Sequence, residues 1–196
     1  MTEALEPWQL LLPAVVGFLV GSINPATLIA RARGIDLREV GSGNPGATNT
    51  ARAMGPRTGV LVGLLDILKG FLPAALFSLW VAPAAGEVAG LAAVLGHIFS
   101  PFLKGKGGKG VATTIGAILG VQPLWAVPIL IAFGITLAIS KRMGMGAVAG
   151  AVVLIALGLW WAETTSERIF GVALGVIVIA RHATNLKALI ARHSKQ

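Results

Sequence analysis

Long apolar runs alternate with short polar, glycine-rich stretches along all 196 residues. Residues 8–30 are almost wholly apolar and long enough, at about 1.5 Å of rise per helical residue, to cross a hydrocarbon core of ~30 Å. Further apolar runs cover residues 59–81, 87–103, 111–122, 124–139, 146–162 and 169–180, the last continuing as helix past residue 189. The run 111–122 is short. A helix of that length covers about 18 Å, so the pattern predicts a short, broken or tilted span there. Gln122-Pro123 makes the following turn, and Trp160 and Trp161 suit a membrane interface. Residues 34–58 form a polar stretch, irregular over 41–46 where Gly and Pro punctuate it. No long internal repeat is present. Gly21-Ser22-Ile23-Asn24-Pro25-Ala26 does echo Gly41-Ser42-Gly43-Asn44-Pro45-Gly46, and Ser22 and Asn24 are unusual inside an apolar run.

The runs count to seven spans, and charge sets their direction. Of the 16 Lys and Arg residues only Arg168 falls clearly outside, whereas Glu3, Glu6, Glu87, Glu163 and Glu167 all do. If residues 111–122 did not cross, Lys141-Arg142 would have to face out. The expected fold is therefore an all-α integral membrane protein with seven transmembrane helices, one short or broken, the N-terminus outside and the C-terminus cytoplasmic. Residues 1–196 are expected to form a single polytopic domain. The first run lacks a basic n-region and a small-residue cleavage site, so it reads as a retained span.

Composition agrees: 55% of residues are hydrophobic and only 12% are charged. The formal net charge of +8 points to loops at an anionic leaflet and an anionic substrate, and less to nucleic acid. With no cysteine there is no disulfide, thiolate metal site or cysteine nucleophile.

Three polar clusters fall on the same inner side. In Lys104-Gly105-Lys106-Gly107-Gly108-Lys109-Gly110, glycines permit positive φ and close approach of backbone to a ligand. Successive N–H groups there can form an anion nest, and a helix starting at Val111 would add its dipole. Lys104, Lys106 and Lys109 supply point charges for phosphate, and Gly107, Gly108 and Gly110 the backbone of the nest. In the second cluster, Ser42, Asn44, Thr48 and Asn49 offer hydrogen-bond donors and acceptors, and Arg52 a bidentate fork for phosphate. In the third, His182 and Asn185 share one helix face at i, i+3. Within the spans, Asp66 and Lys69 are also i, i+3. Such charges face the protein interior, with Asp66 read as structural and Lys69 either paired to it or joined to the phosphate site. His97 stands just before the lysine loop and reads equally as structural or functional.

No inner cluster has the ligand spacing of a metal site, so neither metal nor cofactor is expected. None of His97, His182 and His193 has an aspartate five residues on, so a His-x4-Asp acyltransferase pattern is absent. Donors and cations with few acids suit an anionic substrate and stabilise developing negative charge. A carrier of a small phosphorylated solute is the competing reading, although the paired discontinuous repeats common in transporters are not visible. A small membrane scaffold would not explain the glycine–lysine loop.

Four motifs in order resemble the PlsY family, the bacterial acyl-phosphate:glycerol-3-phosphate acyltransferases. They are residues 41–49 with Arg52, Asp66-Ile67-Leu68-Lys69-Gly70, Gly96-His97-Ile98-Phe99 running into residues 106–113, and His182-Ala183-Thr184-Asn185. The resemblance spans the first run to the last. It implies a seven-helix enzyme of the bacterial inner membrane with its active site facing the cytoplasm. The implied reaction moves an acyl group from acyl phosphate to the 1-hydroxyl of sn-glycerol 3-phosphate. The products are lysophosphatidate and inorganic phosphate, in the first step of phospholipid biosynthesis. Its implied partners are glycerol 3-phosphate, acyl phosphate and membrane lipid, with the oligomeric state left open, a monomer included. By motif match Ser42 and Arg52 belong to one essential motif, residues 104–110 to the glycerol-3-phosphate loop with Lys109 foremost, and His182 and Asn185 to another. The family is held to use the acyl phosphate's own phosphate as base. Three positions depart from its pattern: Thr184 stands in place of a frequent glutamate, residues 143–146 lack a common serine, and Ser100 replaces a common proline, a change expected to be minor.

Overall fold

The computed structural model describes the backbone of residues 6–193 and the side chains of those residues apart from Pro7 and residues 184–193. Regular structure among them is helical throughout. They divide into two compact units, one reaching Pro123 and the other starting at Leu124.

The first unit contains α1 (Pro7–Ser22), α2 (Pro25–Ala32), α3 (Ala47–Met54), α4 (Pro56–Trp80), α5 (Pro83–Ile98) and α6 (Val111–Val121). Proline opens α1, α2, α4 and α5, where its missing N–H has no intrahelical partner to lose. Helices α4 and α5 pack together at the centre, with α1 against α5 and α6 against α4. Small residues bring the backbones close. A Cβ on Gly17, Gly21 or Gly96 would collide with backbone across the α1–α5 contact, and one on Gly70 or Gly116 across α4–α6. This is the close packing by which helices associate in lipid.

The second unit contains α7 (Ala126–Ser140), α8 (Met143–Trp160) and α9 (Thr165–His193), with α8 packed against both others. Leu154, Phe170, Leu174 and Val178 are buried there.

Among the described residues five segments are long and apolar enough to cross a membrane: Trp8–Ala32, Pro56–Trp80, Pro83–Leu103, Pro123–Ser140 and Met143–Trp160. Helix α6, with 11 residues, covers about 16 Å and stays short, as its length in the sequence implies. Large apolar side chains such as Leu11, Leu64, Leu72, Trp80 and Ile131 are exposed, the surface a lipid solvent requires.

The polar stretch 34–58, irregular over 41–46 as its Gly and Pro imply, also contains a helix, α3. One expectation is corrected: the first apolar run is not one helix but two, broken at Ile23-Asn24. Pro25 cannot donate to the preceding turn, and the chain restarts with Asn24 as N-cap, whose Oδ1 accepts from Thr27 N at 2.8 Å. Carbonyls orphaned by such a break must find partners inside the protein. Ser100 Oγ donates to Ser22 O at 2.7 Å and Lys69 Nζ donates to Ile23 O at 2.7 Å. Ser100, expected to be a minor departure, is therefore a brace of this break.

Candidate active site

The polar stretch after α2 is a built loop. Gly34, at φ +69°, closes α2 in the left-handed conformation. The chain from Ile35 to Pro45 is then fastened from within. Asn49, 1% exposed, donates through Nδ2 to Leu37 O at 3.0 Å and Val40 O at 2.9 Å. Its Oδ1 accepts from Ser42 N at 3.0 Å. Asn24 Nδ2 donates to Pro45 O at 3.1 Å, which ties the same loop to the α1–α2 break. Leu37 anchors it below, in a cluster with Ala26, Ala30 and Val62.

This bracing separates the candidates of the first cluster. Ser42, Thr48 and Arg52 are exposed and open to a ligand. The Arg52 stem lies beside Gly41, its Cδ 3.6 Å from where a Gly41 Cβ would stand. Asn44 is half-buried, its Nδ2 against Gly46. Asn49, expected as a ligand contact, braces the loop: both its Nδ2 donors and its Oδ1 serve the loop's backbone.

The glycine–lysine loop is likewise fixed to the protein. After a tight turn at Pro101–Leu103, Lys104 and Gly105 take φ of +53° and +73°. The loop then lies on the end of α5: Gly107 N donates to Ile98 O at 2.9 Å and Gly108 N to His97 O at 3.2 Å. Gly110, at φ +81°, is the N-cap of α6 and accepts from Thr114 N at 2.8 Å. The N–H groups of Gly107 and Gly108, expected in an anion nest, thus bond the end of α5 and dock the loop there. Both residues are glycines for proximity and not for positive φ. A Cβ on Gly107 would strike the His97 and Ile98 carbonyls, and one on Gly108 the His97 ring at Nε2. Lys104 and Lys106 are exposed and Lys109 is half-buried. Arg38 Nη2 reaches Leu103 O at 3.4 Å, so the two loops meet. Arg38 was not among the expected site residues. Its signal in the sequence, one arginine among three after the first span, did not distinguish it.

Beneath the loops lies a buried ionic cluster. Lys69 Nζ is 2.9 Å from Asp66 Oδ1 and His97 Nδ1 is 3.4 Å from the same oxygen. The three residues are 7%, 2% and 4% exposed in that order. Lys69 is engaged by Asp66 and the Ile23 carbonyl, and His97 faces the same carboxylate. A His–Asp pair does exist in space, joining α5 and α4. The other ring nitrogen of His97 abuts Gly108, however, so the pair is walled off by the loop.

In the second unit, His182 is 3% exposed and its Nδ1 lies 2.8 Å from Val178 O. A carbonyl can only accept, so Nδ1 carries the proton and Nε2 of the neutral ring is an acceptor. The side chains of Asn185 and Thr184 lie outside the described residues. Residues 143–146 form the first turn of α8, where Met145 N and Gly146 N donate to Arg142 O at 3.0 and 3.3 Å. Among the described residues no cluster of three metal-ligating side chains occurs.

Discontinuous apolar helices carrying a pair of braced, basic, glycine-rich loops define an all-helical integral membrane protein. The sequence model of the glycerol-3-phosphate acyltransferase family matches residues 11–192, and the chain belongs to that family. Relatives named glycerol-3-phosphate acyltransferase include one from Aquifex aeolicus, 41% identical over 180 residues that cover 90% of this chain and 93% of the relative. Another, from Thermoanaerobacter sp. (strain X514), is 36% identical, covering 92% and 91%. The crystal structure of PlsY (YgiH), an integral membrane glycerol 3-phosphate acyltransferase in its glycerol 3-phosphate form, superposes with a TM-score of 0.87. It is 34% identical and covers 92% of each chain. The lysophosphatidic acid form of PlsY gives 0.83.

Proposed function

We propose that this protein transfers an acyl group from acyl phosphate to the 1-hydroxyl of sn-glycerol 3-phosphate, the step that begins phospholipid synthesis. The hydroxyl oxygen attacks the acyl carbonyl, the carbonyl–phosphate bond breaks, and the leaving phosphate takes the hydroxyl proton. Lysophosphatidate and inorganic phosphate result. The observation that carries this reading is the pair of loops joined through Arg38 and Leu103. They present Ser42, Arg52, Lys104, Lys106 and Lys109 on a braced backbone, a donor set suited to phosphoryl oxygens and to developing negative charge.

Arg52 and Lys109 hold the phosphate of glycerol 3-phosphate in this proposal, with Ser42, Thr48 and Asn44 as polar contacts and Lys104 and Lys106 raising the local potential. His182 and Asn185, by their motif, orient the hydroxyl or polarise the acyl carbonyl; an Nε2 acceptor suits the first role. No protein base of the His–Asp type is required. Residues 1–196 act in this proposal as a single catalytic domain spanning a bacterial inner membrane seven times. The short α6 crosses, the N-terminus lies outside, and the loops and C-terminus lie in the cytoplasm. The run of basic residues at that side supports this orientation.

The test is phosphate release by detergent-purified protein given palmitoyl phosphate and sn-glycerol 3-phosphate, with lysophosphatidate identified as the product. Turnover is expected with palmitoyl phosphate and not with palmitoyl-CoA. Equal turnover with the CoA ester would overturn the donor assignment. Exchange of labelled glycerol 3-phosphate across proteoliposomes without chemistry would favour a carrier.

A further inference from the structure

The buried Lys69–Asp66–His97 cluster has no part in the chemistry above, yet it touches both the α1–α2 break and the end of α5. Lys69 caps the Ile23 carbonyl at the α1–α2 break. That break holds the other loop through Asn24 and Pro45. His97 sits at the last turn of α5, with its carbonyl bound by Gly108 N and its Nε2 against the Gly108 backbone. Asp66 lies between Lys69 Nζ and His97 Nδ1, within 2.9 and 3.4 Å.

Charges buried in this way are a poor source of stability. Desolvation costs several kcal/mol per ion, and well-packed apolar replacements are often neutral or stabilising. Their better-attested value is to fix one arrangement among alternatives. Here the arrangement is the setting of the glycine–lysine loop on α5. The imidazole has two possible tautomers and can rotate. A carboxylate oxygen 3.4 Å from Nδ1 favours the proton on that nitrogen and biases the ring plane, and that plane is the floor on which Gly108 rests.

We propose that Asp66 is a positioning residue for glycerol 3-phosphate: by holding His97 it sets the height and register of the loop that presents Lys109, and by holding Lys69 it fixes the break that carries the other loop. The proposal rests on the reading that these loops bind glycerol 3-phosphate. It does not depend on the acyl donor.

The experiment is calorimetric measurement of sn-glycerol 3-phosphate affinity, without donor, on purified wild-type, Asp66→Asn, Asp66→Asn/Lys69→Gln, His97→Gln and Asp66→Asn/His97→Gln proteins. Thermal midpoints in detergent are recorded alongside. Asp66→Asn is expected to weaken binding at least tenfold. The Lys69→Gln second change removes the unpaired buried ammonium while keeping a donor for Ile23 O. It should restore the thermal midpoint but leave the affinity weak, which a purely structural role would not do. In the His97→Gln background, adding Asp66→Asn should cost less affinity than it does in the wild type, since only the route through Lys69 remains. Wild-type affinity in Asp66→Asn, full additivity with His97→Gln, or loss of folded protein in both Asp66→Asn and its Lys69→Gln double variant would each overturn the proposal. Wild-type protein that binds no glycerol 3-phosphate would overturn the ligand reading itself. Binding without transfer from palmitoyl phosphate would overturn only the donor.

Discussion

Alanine at Gly107 isolates the demand that the loop lie flat on α5. A Cβ there would lie within contact of the His97 carbonyl, 2.7 Å from Ile98 O and 3.0 Å from His97 C. All are backbone atoms of a helix end locked by its own hydrogen bonds, so the loop and not the helix must yield. Lifting it breaks the bonds from Gly107 N to Ile98 O and from Gly108 N to His97 O, at about 1 kcal/mol net each. Staying docked instead carries an overpacking strain of about 1–3 kcal/mol. Either route costs about 1–3 kcal/mol. At about 1.4 kcal/mol per tenfold, this corresponds to a loss of roughly 5- to 150-fold in apparent affinity for a ligand that binds only the docked loop. The loss shrinks tenfold for each ~1.4 kcal/mol by which docking exceeds what binding needs.

Gly105 provides the internal control. It has φ +73° but nothing within 4 Å of a built Cβ, so alanine there costs only the left-handed strain of about 1–2 kcal/mol, and asparagine less. Gly108 falls between, because its obstacle is the His97 ring, a side chain with some freedom to turn. The assay is the KM for glycerol 3-phosphate at saturating palmitoyl phosphate for Gly107→Ala, Gly108→Ala and Gly105→Asn, expected to fall in that order of severity. A Gly107→Ala enzyme with wild-type KM, or a Gly105→Asn enzyme as impaired as Gly107→Ala, would refute docking as the reason for the glycines.

Asn49→Ala strands two carbonyls and the Ser42 N–H. At about 1–3 kcal/mol for a buried polar group left unsatisfied, it should lower the thermal midpoint along with activity. Loss of activity at an unchanged midpoint would return Asn49 to the ligand. Lys109→Ala should raise the KM for glycerol 3-phosphate or abolish turnover, whereas His182→Ala should lose kcat while the protein still inserts and purifies; unchanged constants in either would remove that residue from the site. The cysteine-free chain allows clean topology mapping. A cysteine at Lys106 should react with an impermeant maleimide only from the cytoplasmic side and one at Glu163 only from outside, and the reverse pattern would invert the proposed orientation.

The apolar run lengths placed the span-length helices and forecast that α6 would be short, because burial in lipid is written locally as uninterrupted hydrophobicity. The polar clusters at 41–52 and 104–110 were also legible as loops that belong together. The break in the first run was not. Ser22 and Asn24 stood out in it, but the groups that make a break affordable there, Lys69 and Ser100, come from 46 and 78 residues away. Helix α3 was hidden because Ala-Thr-Asn-Thr-Ala-Arg-Ala-Met carries little apolar periodicity and follows a run of Gly and Pro. It is held by its packing on α4, as expected where tertiary contact overrides propensity.

The same physics explains why residue type failed to separate braces from ligands. Inside a membrane protein every interruption of a helix leaves carbonyls and N–H groups that water cannot reach, so a site made of loops needs polar side chains merely to exist. Asn24, Asn49, Lys69 and Ser100 do that work, and each bonds a backbone carbonyl far along the chain. Ser42, Arg52, Lys104 and Lys106 belong to the same chemical classes but remain exposed. What distinguishes the two sets is whether an orphaned backbone group lies within reach, a property of the folded chain and not of the residue. The polar side chains of these two loops and their supports therefore fall mainly into a buried layer that holds the loops and a more exposed layer that the loops present. Substitutions in the first should act on affinity through loop geometry, and substitutions in the second through direct contact.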